Sequence, residues 1–250
     1  MQQTPFENDE SDPARAARIN VALANRILVH QGVLDAFGHV STRDPTDPAR
    51  FLLSRNMAPA LVGPEDVLSF DLDGDVSGDG NTRVYLERFI HAAIYKARPD
   101  VLGVVHSHAA SVVPFTVVRN ATLRPVCHMS GFLTSHTPLF EIRDYAGPGS
   151  DHLIRSNVLG DQLAVCLGKS AVVLMRGHGL TVVGTTLEQA VFRAVYAEKN
   201  AKIQAAALAL GEVTFLNDAE AMASDVANSG QVSRAWDYWS LEAREDVSGT

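Results

Sequence analysis

The sequence predicts one α/β domain, on three observations. Segments with helical spacing alternate with short β-branched runs along the whole chain, no Pro/Gly-rich linker separates two halves, and no internal repeat appears. At 250 residues, with 46% hydrophobic and 20% charged side chains, the chain can bury a substantial core and is too apolar for disorder. Composition also excludes partners. The 21 Lys and Arg against 29 Asp and Glu leave a net charge of −8, and no basic cluster offers a phosphate backbone a footing. No nucleic-acid partner is expected. Two cysteines, Cys127 and Cys166, cannot form a disulfide framework, which points to a reducing, cytoplasmic setting. No apolar run reaches membrane-spanning length, so no membrane contact is expected.

Residues 1–12 are acidic and polar, unlike a signal peptide, and are expected to be disordered. The domain is expected over 13–250. From Pro13 the positions Ala17, Val21, Ala24, Ile27 and Leu28 recur at helical intervals, with Asp12 as N-cap and Gly32 beyond the end. HVSTR (39–43), FLLS (51–54) and VLSFDLDG (67–74) read as strands, followed by a loop over 73–82. A helix is predicted from about Arg83 to Ala97, ending before Pro99. VLGVVHSH (101–108) reads as a buried strand, the run from Ala109 toward Val118 as a helix, and PVCHM (125–129) as a short strand. Asp151–Leu167 reads as a helix closed by Gly168. AVVLMRGHGLTVVG (171–184) reads as two strands around a Gly-His-Gly turn. Thr186 caps a long Ala-rich helix to about Leu210, and SRAWDYWSLEARE (233–245) forms a helical tail.

Three local features carry chemistry. His106 and His108 stand two apart on a strand, so both imidazoles reach one face and one metal ion; the same spacing also suits two histidines satisfied by the backbone. His178 sits between Gly177 and Gly179, where the chain turns tightly and leaves the ring accessible, or where the ring is incidental to the turn. Glu87 precedes His91 by one helical turn, a pair that reads as a solvated face unless the helix packs beside the histidine strand. The short connection at 98–100 favours that packing. Three histidines and one carboxylate suit a catalytic divalent-metal site with room for substrate.

GHVSTR (38–43), LERFIHAAIYKARPD (86–100), VVHSHA (104–109) and RGHGLTVVGTTLEQAV (176–191) occur together in the order seen in the class II aldolase/adducin family, which the chain resembles over about residues 15–212. The resemblance implies a three-layer α/β/α fold around a mostly antiparallel sheet. It implies His106, His108 and His178 as ligands of one divalent ion per subunit (Zn, Mn or Co), with Glu87 as acid/base. It also implies a homotetramer with active sites between subunits. The chain departs from the family's sugar-phosphate aldolases, which have Gly-Asn at Gly38-His39, Thr-Gly near Ser54-Arg55 and Ser-Ser at Tyr85-Leu86. Those small polar residues hold a phosphate. The aldolases' proton-donating tyrosine falls at Met129, after His128. GHVSTR, the LSR of 53–55 and SHAASVVPF are similar instead to the family's decarboxylases of hydroxylated aromatic or pyridine carboxylates.

His39, Ser54, Arg55, Tyr85 and His128 are therefore the candidate substrate-binding residues. Arg55 reads as a fork for a substrate carboxylate or as half of a surface ion pair. The expected function is a metal-dependent decarboxylase. An aldolase acting on an unphosphorylated substrate and a non-enzymatic scaffold are the alternatives. Both tryptophans, Trp236 and Trp239, fall in the tail with Tyr238 and Leu241. The tail is expected to dock near a neighbouring subunit and help enclose the substrate pocket, the alternative being that it folds onto its own core.

Overall fold

The computed structural model describes residues 12–78 and 81–248. Of the stretch expected to be disordered, residues 1–11 lie outside these, and Asp12 caps the first helix by accepting from the N–H groups of Ala14 and Arg15. The chain runs α1 (Pro13–His30), β1 (His39–Arg43), β2 (Arg50–Ser54), β3 (Val67–Asp71), α2 (Arg88–Ala97), β4 (Gly103–Ser107), α3 (Val113–Val117), β5 (Leu139–Phe140), α4 (Arg143–Ala146), α5 (Asn157–Leu167), β6 (Val172–Met175), β7 (Gly179–Gly184), α6 (Leu187–Leu210), α7 (Asp218–Ser229) and α8 (Val232–Ser248). The strands form one seven-stranded sheet in the order β3-β2-β1-β4-β7-β6-β5. Every pairing is antiparallel except β5 with β6.

The central strands are buried on both faces, because each face is covered by helices. Period-two alternation sends Leu52, Val105 and Val182 to the core shared with α1 and α6. Their neighbours Phe51, Leu53, Val104 and Val183 go to the core shared with α2 and α5. The result is the three-layer α/β/α architecture. No helix among the described residues is long and apolar enough to cross a membrane.

Several elements differ from the sequence reading. α2 begins at Arg88, more than a turn after Arg83. The residues before it are held in place by the 54–57 loop: Asn56 donates its N–H to the Arg83 carbonyl (2.9 Å), and Tyr85 donates its hydroxyl to the Met57 carbonyl (2.7 Å). Residues 125–129 are not a strand. Their backbone groups and those just before them are satisfied by side chains of α6. Asn200 accepts from the Val126 N–H and donates to the Arg124 carbonyl, and Gln204 does the same for Arg124 and Thr122. A 3-10 turn follows at His128–Ser130. The helix expected from Asp151 starts at Asn157, where Ser156 caps it, because His152 takes a left-handed conformation (φ 69°).

α7 was not expected. Its signal is a capping box, with Asn217 accepting from the Glu220 N–H and Glu220 accepting from the Asn217 N–H.

The tail helix packs one face onto its own chain. Trp239 and Ala243 enter the core formed with α1 and α6, Trp239 lying against Phe192 and Tyr196, while Tyr238 and Leu241 stay exposed.

Candidate metal and substrate site

β1 and β4 pair so that His39 lies directly opposite His106, on the face covered by α2. On the other side of β4, His106 is opposite Thr181 of β7. β4 ends at Ser107, so His108 stands in the turn that follows and is exposed, yet its Nε2 is 3.3 Å from that of His106. His178 arrives from the tight turn between β6 and β7. Gly177 is left-handed there (φ 64°), and a Cβ on Gly179 would come within 2.0 Å of the Ser107 carbonyl oxygen. Only glycine lets this turn approach β4 closely enough to deliver the imidazole.

Glu87 stands immediately before α2 instead of within it, so its carboxylate leaves the helix and reaches the same point. Its Oε1 accepts from the Ile154 N–H at 2.9 Å. Its Oε2 lies 3.6 Å from His106 Nε2 and 3.5 Å from His178 Nε2, and His108 Nε2 is 2.9 Å from His178 Nε2. A tetrahedral ion with ligands at about 2.0–2.2 Å separates its donor atoms by about 3.3–3.6 Å. Four of the cluster's separations lie between 2.9 and 3.6 Å and all lie within 4.8 Å, and its donor set of three imidazoles and a carboxylate fits a divalent cation. His106 Nδ1 is 3.2 Å from the Leu180 carbonyl, the kind of contact that turns the other ring nitrogen's lone pair toward the cluster.

Electrostatics agree with that use. Burial and the neighbouring imidazoles hold His106 well below its ordinary range, and burial with His108 lowers His178 to about 4. Neutral rings are the form that binds a cation. Burial pushes Glu87 up to about 7, and a bound cation would pull it back down.

A cavity of about 400 Å³ opens over the cluster, lined among others by His39, Tyr85, Glu87, His108, Arg83 and Met57. Two expected substrate residues are therefore at the cavity: His39 and Tyr85. Three are not. Ser54 is fully buried and sits 3.4 Å from the Tyr85 hydroxyl, so it backs that side chain instead of meeting a ligand. Arg55 donates from Nε to Asp66 (2.7 Å), the ion-pair alternative, and is not part of the cavity lining. His128 lines a separate hollow beside α6 and α8. Sequence reasoning missed Arg83, having placed it in a helix. It also missed the 151–154 loop, whose signal is the non-glycine left-handed residue His152 and which holds Glu87 through Ile154.

The model of the class II aldolase and adducin N-terminal domain matches residues 19–205. The chain belongs to that family. Among relatives, decarboxylase tropJ of Talaromyces stipitatus is 38% identical over 239 residues, covering 86% of this chain and 90% of that one. A 3,4-dihydroxyphthalate decarboxylase of Arthrobacter keyseri is 30% identical, covering 72% and 73%. The crystal structure of an aldolase II superfamily protein from Pseudomonas syringae superposes with a TM-score of 0.77 at 21% identity, covering 94% of each chain. This class II aldolase-family chain is a carbon–carbon lyase of decarboxylase or aldolase type.

Proposed function

We propose that the chain is a divalent-metal-dependent decarboxylase of a hydroxylated aromatic or pyridine carboxylate. The observation that carries the reading is the convergence of His106, His108, His178 and Glu87, of which Glu87 and His108 line the cavity. Beside it stand the His39 and Tyr85 rings, 4.7 Å apart, instead of the small hydroxyls that hold a phosphate. The three histidines would hold the ion, with Glu87 within reach of it. When bound, the ion supplies Lewis acidity for the charge that develops as the carbon–carbon bond breaks.

The protein's own residues do the rest. Loss of CO2 leaves an electron pair on the ring carbon, which must take up a proton. Glu87 is the donor: Ile154 holds one of its oxygens, which leaves Oε2 for the reaction space. Arg83, at the cavity rim, is the candidate partner for a second carboxylate. The metal is Zn, Mn or Co. The assembly is a homotetramer, in which His128 and the exposed Tyr238 of one subunit approach a neighbour's cavity, and the protein works in the cytoplasm on aromatic catabolites.

The test is CO2 release from 3,4-dihydroxyphthalate and hydroxypyridine dicarboxylates, with each metal and after chelation. Metal-dependent release supports the reading. An aldehyde product without CO2 favours the aldolase alternative.

A further inference from the structure

Behind the metal cluster runs a buried chain of polar groups that neither the ligand set nor the proton donor uses. Tyr95 Oη is 2.9 Å from Ser41 Oγ, Ser41 Oγ is 2.6 Å from His91 Nδ1, and His91 Nε2 is 2.6 Å from His39 Nδ1. Tyr95, Ser41 and His91 are each at most 1% exposed. The direction of the chain can be worked out from its far end. A buried phenolic O–H must be donated; the backbone of Val104 also bonds this oxygen but as a donor, which leaves Ser41 Oγ as the acceptor. Ser41 then receives that bond and gives its single hydrogen to His91 Nδ1. With Nδ1 accepting, neutral His91 carries its proton on Nε2 and donates to His39 Nδ1. His39 must in turn carry its proton on Nε2.

We propose that this relay locks His39 as an Nε2–H donor, aimed into the cavity at an anionic oxygen of the substrate. His39 lines the cavity, and its Nε2 has no hydrogen-bond partner among the described residues without being sealed off from the cavity. Although its ring centre is 5.0 Å from that of His106, His39 cannot join the cluster as a further ligand, because the nitrogen it would offer bears a hydrogen. Tyr95, Ser41 and His91 are positioning residues, and His39 is the group that touches the ligand. The ligand class, an aromatic carboxylate, rests on the decarboxylase reading.

The experiment is long-range proton–nitrogen NMR on the full-length, zinc-loaded protein labelled with 15N-histidine, with signals assigned by loss in H39Q and H91Q. His39 and His91 should both show protonated Nε2 and bare Nδ1. Y95F frees Ser41 to turn, so Nδ1–H forms of both rings should appear, whereas S41T, which keeps the hydroxyl, should retain the wild-type pattern. Phthalate, an unreactive dicarboxylate, serves as the probe. Its binding should shift the His39 Nε2–H signal and weaken about tenfold in Y95F, the scale of one hydrogen bond to a charged group. An Nδ1–H form of His39 in the wild type, no effect of Y95F on the tautomers, or phthalate binding that is absent or blind to Y95F would each overturn the proposal. Absence of CO2 release with the tautomers as described removes the decarboxylase reading and leaves the lock in place.

Discussion

Two hollows of opposite character lie in this chain. The larger, about 880 Å³ beside α6 and α8, is walled by Phe192, Tyr196, Trp239 and Met129 and carries His128 and Lys199 at its polar margin. The smaller, about 400 Å³, sits over four donor atoms that all lie within 4.8 Å of one another. Volume and chemistry are thus decoupled. The large hollow is a gap between packed helices. The small one is built by three strand ends and a helix start that bring uncompensated nitrogen and oxygen lone pairs to one point, an arrangement that makes sense around a cation.

Substitutions in the two regions should separate these roles, and the largest effect belongs to the cluster. H106A or H178A should remove bound metal, measured by elemental analysis, and abolish turnover with it. E87Q should keep the metal and the fold yet lose roughly 10²–10⁴ in turnover, the scale of general acid–base catalysis. Full metal occupancy in H178A would break the comparison.

In the other region, W239A should cost about 3 kcal/mol of stability, because it empties a buried aromatic site, while metal content stays at the wild-type level. Urea unfolding followed alongside metal analysis checks both halves of that statement.

A third test uses acid. Burial pushes His91 from its ordinary 6.5 down to about 3, so the folded chain keeps it neutral where the unfolded chain takes up a proton. The associated stability is fully present above about pH 6.5 and lost as pH falls toward the folded value. Near pH 4.5 the loss is on the order of 2–3 kcal/mol, at about 1.4 kcal/mol per pH unit. The denaturation midpoint of the wild type should therefore fall more steeply with acid than that of H91Q.

The smallest effect should come from R55K. An ion pair as exposed as Arg55–Asp66 is worth at most about 1 kcal/mol, and the change should leave mono- and dicarboxylate substrates equally affected. A loss confined to dicarboxylates would restore Arg55 as the substrate clamp in place of Arg83.

Much of this was legible in the linear chain. Asp12, Thr186 and the apolar spacing of α1 and α6 mark helices through local hydrogen bonds and periodicity, which need no distant partner. His106, His108 and His178 were singled out by a His-x-His spacing and a glycine-bounded turn, and the family resemblance of the blocks that carry them joined the three into one ligand set. Other features depended on contacts far along the chain. The start of α2 was illegible because the loop at 54–57, some thirty residues earlier, holds the segment before it out of the helix. The 125–129 segment has strand-forming residues but no strand partner, since Asn200 and Gln204 take its backbone bonds. Arg83, read as a helix start, lines the cavity instead, while Arg55 takes the ion-pair alternative.

The sequence alone determined the α/β class, which follows from local periodicity, whereas the four clustering side chains were named through the family resemblance, because their spacing by itself suits a solvated or backbone-satisfied role equally well. Tertiary structure alone decided which polar residues face the cavity, that the tail's tryptophan belongs to its own core, and that His39 is backed by His91, Ser41 and Tyr95. Those outcomes turn on register between strands and on which buried hydrogen must find an acceptor, and neither is written in any one segment.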